Sequence, residues 1–298
     1  MSEIAALDGA SLAQDVSQEA FWRQHFPGLS LPGDNRRRDT AKYRYAKIDP
    51  QAQAWLGARM RDEGYFQFGN DTFAELAPKL ADAVRTCVKL DIPPAFIFLF
   101  DEAWSCFQSL NPLLAGFLGE EYAMLPDFWA WHVDPQAGQS GWRPHRDKGR
   151  MALRPDGTPV SLTVWAPLAD ATPLTSCMYL LPINRDPVYN TENEASWQID
   201  ITAIRALPGK AGDFFCWNQA VLHWGSQSSP FAPHPRISMA LEFQRSDIKP
   251  FNTPLLAPFE PLDFGQRLKL VGKQILQYRH MYPLAARFES LAQKLVAG

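Results

Sequence analysis

The chain has 298 residues, carries a net charge of -3 and is 46% hydrophobic, so it is long and apolar enough to bury a full core. Its mild acidity excludes a globally basic protein that would bind nucleic acid or an anionic membrane surface through charge alone. No apolar run approaches the roughly 18 residues that a membrane span needs.

The Met-Ser-Glu-Ile-Ala-Ala start lacks the basic segment and apolar stretch of a secretory signal. Cys87, Cys106, Cys177 and Cys216 are scattered without C-x-x-C spacing, as reduced, packed thiols of a cytoplasmic protein are. With no Gly/Ser-rich linker or low-complexity run, residues 1–298 read as a single domain. Its 25 prolines exceed the average usage of roughly 5% and predict stiff, ordered loops.

Residues 1–45 read as an irregular segment in which Arg36-Arg37-Arg38 is a solvated loop. Residues 46–125 read as a helical cover. Asp49-Pro50 opens a helix that Gly64 can stop, and residues 65–68 suit a short strand. The spacing of Leu76, Leu80 and Val84 predicts a second helix over 72–90. A third is expected over 102–118, after the apolar run at 95–100.

From Pro126 the period shifts toward two, and residues 126–248 read as short strands separated by Pro, Gly and Asn. In 236–244, Ile237, Met239, Leu241 and Phe243 share one face, while Arg236, Ser238, Ala240, Glu242 and Gln244 share the other. The apolar set should pack beneath the helices and the polar set should line an interior. Ser161, Thr163 and Trp165 likewise share a strand face. Residues 249–298 read as a C-terminal helical pair, over 264–280 and 284–296, presenting a solvated amphipathic face, a homodimer contact or a lid.

The chemistry lies in His145-Arg146-Asp147, in His223, 78 residues beyond His145, and in Arg236, thirteen residues further on. Two imidazoles and a carboxylate can occupy one face of an octahedral Fe(II) and leave the opposite face open for a bidentate keto acid and dioxygen. The planar guanidinium of Arg236 can grip a carboxylate through two parallel hydrogen bonds. An H-x-D triplet alone is weak evidence, because His132-Val133-Asp134 is another copy.

Context separates the two copies. Arg143-Pro144-His145-Arg146-Asp147 stands ahead of the Val-Ser-Leu-Thr-Val-Trp stretch at 160–165, which runs into Ala166-Pro167-Leu168. Met178-Tyr179-Leu180-Leu181-Pro182, Leu207-Pro208-Gly209, Gly212-Asp213-Phe214-Phe215, Leu222-His223-Trp224-Gly225-Ser226 and Arg236-Ile237-Ser238 follow. This succession resembles the phytanoyl-CoA dioxygenase-like family of Fe(II)- and 2-oxoglutarate-dependent oxygenases, over residues 128–244.

The resemblance implies a mainly β fold with flanking helices: a double-stranded β-helix of the jelly-roll, cupin-like type, packed against the N-terminal helices with metal at one mouth. It carries the metal triad onto His145, Asp147 and His223, and the arginine that pairs with the distal carboxylate of 2-oxoglutarate onto Arg236. Ser238, Trp165 and Thr163 fall where the family has lesser co-substrate contacts. It implies Fe(II), 2-oxoglutarate and O2 as cofactor and co-substrates, with succinate and CO2 released as a C–H bond of a small molecule is hydroxylated. Related halogenating enzymes replace the carboxylate with a small residue, so Asp147 argues for hydroxylation, or for desaturation, epoxidation or ring formation by the same oxidant, over halogenation. Where the family has an Asn-Gly turn and a Pro-Gly-Ser-His strand end, this chain has Leu174-Thr175-Ser176-Cys177 and Leu181-Pro182-Ile183-Asn184-Arg185.

Arg143, Arg146, Lys148, Arg150 and Arg154 crowd the metal motif. They predict attraction of an anionic substrate, with Arg143, Arg150, Trp131 and Trp224 as contacts, or else solvated charges paired with Asp156 or Asp170. Trp129 and Trp142 could line the same pocket. Two rival readings remain. One is a jelly-roll enzyme using a divalent metal for non-oxidative chemistry. The other is a non-catalytic jelly-roll scaffold that binds through Arg267, Lys269, Lys273 and Arg279.

Overall fold

In the computed structural model, which describes residue 12, residues 15–34 and residues 41–297, the helices begin and end where local chemistry dictates. Arg36-Arg37-Arg38 lies outside the described residues. Helix α1 (Glu19–His25) buries Trp22, which stacks on Phe96. After α2 (Ala41–Arg44), α3 (Pro50–Glu63) starts with the Asp49 side chain accepting the Gln51 N–H and with Pro50 in the first turn. It stops at Gly64, which has φ 83° and sits where a Cβ would lie 2.5 Å from Ile183, so only glycine serves there.

Strand β1 (Tyr65–Gly69) follows, then α4 (Asp71–Lys89), capped by Asn70 and burying Leu76, Leu80 and Val84 as their spacing predicts. The apolar run becomes a buried 3-10 helix, Pro94–Leu99. The helix expected over 102–118 is two helices, α5 (Asp101–Gln108) and α6 (Asn111–Leu118). Pro112 enforces the break, because its ring would clash with the carbonyl of Gln108 in a continuous helix.

The remaining strands are β2 (Ala123–Val133), β3 (Ser161–Pro167), β4 (Met178–Leu181), β5 (Arg205–Leu207), β6 (Asp213–Asn218), β7 (Leu222–Gly225) and β8 (Arg236–Gln244). They pair antiparallel into a five-stranded sheet, β1-β6-β3-β8-β2, and a three-stranded sheet, β5-β4-β7. The two sheets make the expected double-stranded β-helix. Alternation along β8 divides its side chains as the sequence predicts. Ile237, Met239, Leu241 and Phe243 join the helices in one buried cluster, whereas Arg236, Ala240 and Glu242 face a cavity between the sheets.

Two C-terminal helices, α7 (Phe264–Gln277) and α8 (Ala286–Ala297), complete the fold. A capping box between Asp263 and Gln266 starts α7. The register of β2 against β8 shifts between Met124 and Phe128, around Pro126, whose nitrogen cannot donate to the ladder. Gln274 of α7 fills the gap, donating to the Pro126 carbonyl and accepting the Phe128 N–H at 3.0 Å. No helix among the described residues is long and apolar enough to cross a membrane.

Arg267 corrects the picture of an open docking face on these helices. It is only 4% exposed, bonded to Asp101 at 2.6 Å and to the Leu99 carbonyl at 3.0 Å. Lys273 bonds Asn252 and the Thr253 carbonyl, and Arg279 pairs with Glu289 at 3.0 Å. Arg267→Ala strands Asp101 in the interior, and the expected loss is about 3–5 kcal/mol of folding stability. Urea unfolding measures it; a loss below about 1 kcal/mol would show that the pair is not holding α7 in place.

Candidate metal centre

His145 and His223 face each other across an antiparallel bridge in which each N–H donates to the other's carbonyl at 3.0 Å. Opposed residues in such a pair project to the same side, and the two imidazole centroids are 4.4 Å apart. Asp147, two residues beyond His145, returns to that side. Its Oδ1 lies 3.5 Å from Nε2 of each histidine. The three candidate ligand atoms all lie within 4.8 Å of one another, the one such cluster among the described residues.

The surroundings orient each of the three. Nδ1 of His145 meets the Arg143 carbonyl at 2.7 Å, and Nδ1 of His223 meets the Val221 carbonyl at 3.0 Å. Each Nδ1 therefore donates its proton to a carbonyl, and each Nε2 is left facing the space it shares with Asp147 Oδ1. Asp147 Oδ2 accepts from the Thr163 hydroxyl at 2.7 Å and from the Trp217 indole at 3.2 Å, and Gln219 in turn donates to Thr163 at 3.0 Å. Oδ1 is thereby left facing the imidazoles.

Burial opposes ionisation of Asp147, but the two histidines and Thr163 outweigh it and hold the carboxyl well below the usual carboxylate range. Burial lowers His223 to about 4. Burial also works against a charged His145, yet its bond to Asp147 prevails and raises its pKa. The His145 side chain is 30% exposed and that of His223 4%, so the cluster opens past His145.

The triad lies on the wall of a cavity that opens to solvent. Arg236 lies on the same wall, 1% exposed. Its Nη1 donates to the Ser176 carbonyl at 2.7 Å, and its guanidinium sits 6.0 Å from the Trp131 ring and 5.9 Å from that of Trp165. Its Nε has no partner, and no carboxylate pairs with it among the described residues. Burial accordingly pulls its pKa down to about 10. Gly141 and Gly225 make room beside it: a Cβ on either would fall about 2.5 Å from the other's Cα and about 3 Å from Nη1.

Trp131, Trp165, Thr163, Trp129 and Trp142 line the cavity as expected, although the Thr163 hydroxyl is committed to Asp147. Four expectations are corrected. Ser238 is fully buried beside Pro167, off the cavity wall, with its hydroxyl unpartnered. Trp224 alternates with the inward His223, so it points outward and stacks on Tyr179. Arg143 is exposed and offers the site only its carbonyl. Arg150 is exposed and pairs with Glu192 at 3.6 Å.

The cations around the motif therefore do not form an anion funnel. Arg146 pairs with Asp186, Lys148 with Glu242 and Arg154 with Asp247, different acids from the expected Asp156 and Asp170. His132 lies outside the cluster, opposite Ile237. Sequence reasoning missed Asp127, Trp217 and Tyr278 on the cavity wall and the Lys148 partner of Glu242, at 3.0 Å. Alternation of Asp127, Trp129 and Trp131 along β2 was the available signal for the first. Burial pushes the Glu242 carboxyl up, and Lys148 opposes it.

The sequence profile of the phytanoyl-CoA dioxygenase family, PhyH, matches residues 48–232. No curated protein matches the chain. Among solved structures, the apo non-heme monooxygenase ThoJ is similar, at 15% identity and TM-score 0.54, over 80% of this chain and 99% of that one. The epimerase SnoN, in complex with Fe3+, alpha-ketoglutarate and nogalamycin RO, is 17% identical with TM-score 0.52, over 72% and 94%. The carbocyclase SnoK from nogalamycin biosynthesis, described as non-heme and alpha-ketoglutarate dependent, is 12% identical with TM-score 0.50, over 70% and 97%. At these identities the likeness is one of fold.

Two outcomes are expected if the cluster holds a divalent ion. Thr163→Val should weaken the ion's binding roughly 10–100-fold by releasing Asp147. Because a proton on His145 excludes the metal, affinity should fall as pH drops through the raised His145 pKa, above the ordinary value of about 6.5. Calorimetric titration with Co(II) between pH 5 and pH 8 reads both. Unchanged affinity in the variant would remove the orienting role of Thr163, and a flat pH profile would remove His145 as a ligand.

Proposed function

The chain belongs to the phytanoyl-CoA dioxygenase family, and from that premise we propose that it is an Fe(II)- and 2-oxoglutarate-dependent dioxygenase that hydroxylates a C–H bond of a small molecule. Arg236 carries this reading. A guanidinium buried to 1% exposure with no carboxylate beside it is costly unless a ligand brings the anion, and a dicarboxylate anchored near the triad would bring one. The donor set fits the metal as well: Nε2 of His145, Nε2 of His223 and Oδ1 of Asp147 are the two-histidine, one-carboxylate set that suits Fe(II) and leaves positions open.

When bound, iron with 2-oxoglutarate and dioxygen supplies the oxidant, releasing succinate and CO2. The chain binds and positions. Arg236 binds the distal carboxylate through the N–H groups left free by its Nη1 bonds to the Ser176 carbonyl and the Met178 sulfur. Trp131 and Trp165 screen that contact from water. Trp142 and Tyr278, with centroids 4.7 Å apart, cover the cavity beside His145. Epimerisation and ring closure are the competing outcomes at such a site, since SnoN and SnoK share the fold. Gain of one oxygen atom by the product distinguishes hydroxylation from both.

Succinate release by the purified protein with Fe(II), ascorbate and 2-oxoglutarate under air tests the proposal. His145→Ala should abolish turnover and His132→Ala should retain it. Arg236→Ala should raise the KM for 2-oxoglutarate at least about 30-fold, the lower end for unpairing a buried charge contact. An unchanged KM in that variant, or loss of turnover with His132→Ala instead of His145→Ala, would overturn the assignment. Metal binding without 2-oxoglutarate binding would favour the non-oxidative reading, and absence of both the scaffold reading.

A further inference from the structure

Along the cavity face of β8 the charge changes sign. Arg236 begins the strand and Glu242 stands six residues further on, roughly 20 Å along the backbone. Beside Glu242, on the neighbouring strand, Asp127 also lines the cavity and is 2% exposed. Its Oδ1 accepts from Gln277 at 2.6 Å, whereas its Oδ2 is buried with no partner. Glu242 is matched by Lys148 at 3.0 Å, and Lys273 is bonded to Asn252 and the Thr253 carbonyl. Lys148 and Lys273 feel the charge of Asp127, but each is bonded elsewhere, so among the described residues no cation pairs directly with this cavity carboxylate.

Aromatic rings supply the rest of this end. Tyr278 lies 4.7 Å from Trp142 and 5.2 Å from Trp129, centroid to centroid, and all three line the cavity. Ring faces attract cations, and a buried carboxylate needs one. An anionic substrate would be repelled by Asp127, and apart from the metal site the one Lys or Arg lining the cavity among the described residues is Arg236, at the far end. A neutral one could donate a hydrogen bond to Oδ2 but would leave the Asp127 charge unbalanced. Building on the oxygenase reading of the same site, we propose that the substrate is a small organic cation, an amine or quaternary ammonium on an apolar body. Asp127 is its counter-ion, and Trp129, Trp142 and Tyr278 form its cage.

The test uses the full chain with Fe(II) and 2-oxoglutarate, kept anaerobic, and follows tryptophan fluorescence as three probes of one shape are added: cyclohexylmethylammonium, cyclohexylmethanol and cyclohexanecarboxylate. The ammonium should bind at least about tenfold tighter than the other two. Asp127→Asn, which keeps the shape and an acceptor for Gln277, should erase that preference. An ammonium that binds no tighter than the alcohol overturns the proposal on the wild-type protein alone. So does a preference that survives Asp127→Asn. The visible absorption band formed when 2-oxoglutarate chelates Fe(II) separates the two readings. A band without ammonium preference removes this inference alone, and ammonium preference without a band removes the oxygenase reading while leaving the cation site.

Discussion

The bridge between His145 and His223 is the constraint on which the site depends. Two reciprocal backbone hydrogen bonds, both 3.0 Å, fix the rings on one side before any side-chain interaction acts. They do so at the edge of the three-stranded sheet, where β7 pairs with β4. A one-residue slip in that pairing would send His223 outward and Trp224 inward. The buried side chains of Val221 and Leu222 oppose such a slip, so core packing and ligand geometry select the same register.

Around that bridge, each polar group has one committed atom and one free atom. The imidazoles give Nδ1 to backbone carbonyls and keep Nε2. Asp147 gives Oδ2 to Thr163 and Trp217 and keeps Oδ1. Arg236 is held through Nη1, and Asp127 through Oδ1. Groups held this way lose little freedom when a ligand arrives, so less of the interaction is spent on ordering them.

What was legible in the sequence was local. The Asp49-Pro50 start and Gly64 stop of α3 depend on neighbours a few residues away. The alternation of β8 follows from a two-residue period. The triad was legible through short motifs in a fixed order. Misjudged or missed features depend on partners distant in sequence. Arg150 and Arg154 looked like a positive field because Glu192 and Asp247 lie far along the chain. Alternation along β2 could have placed Asp127 on the cavity face, but its bond to Gln277 was not legible because that partner is 150 residues away. The break at Pro112 is the exception: it was local, and the apolar spacing on either side masked it.

Gln274 and the strand irregularity at Pro126 bear on how such a protein can diversify. The His145, Asp147 and His223 cluster is contained in residues 145–223, within the segment matched by the family at 48–232. Gln274, which props the backbone on either side of Asp127, Gln277, which bonds its carboxylate, and Tyr278, which covers the cavity, all lie past that segment in α7 and at its end. Part of the wall around Asp127 is thus contributed from beyond the family segment, whereas His145, Asp147 and His223 all lie inside it. A change in one C-terminal helix can reshape the surroundings of Asp127 while the backbone bridge between His145 and His223 stays as it is.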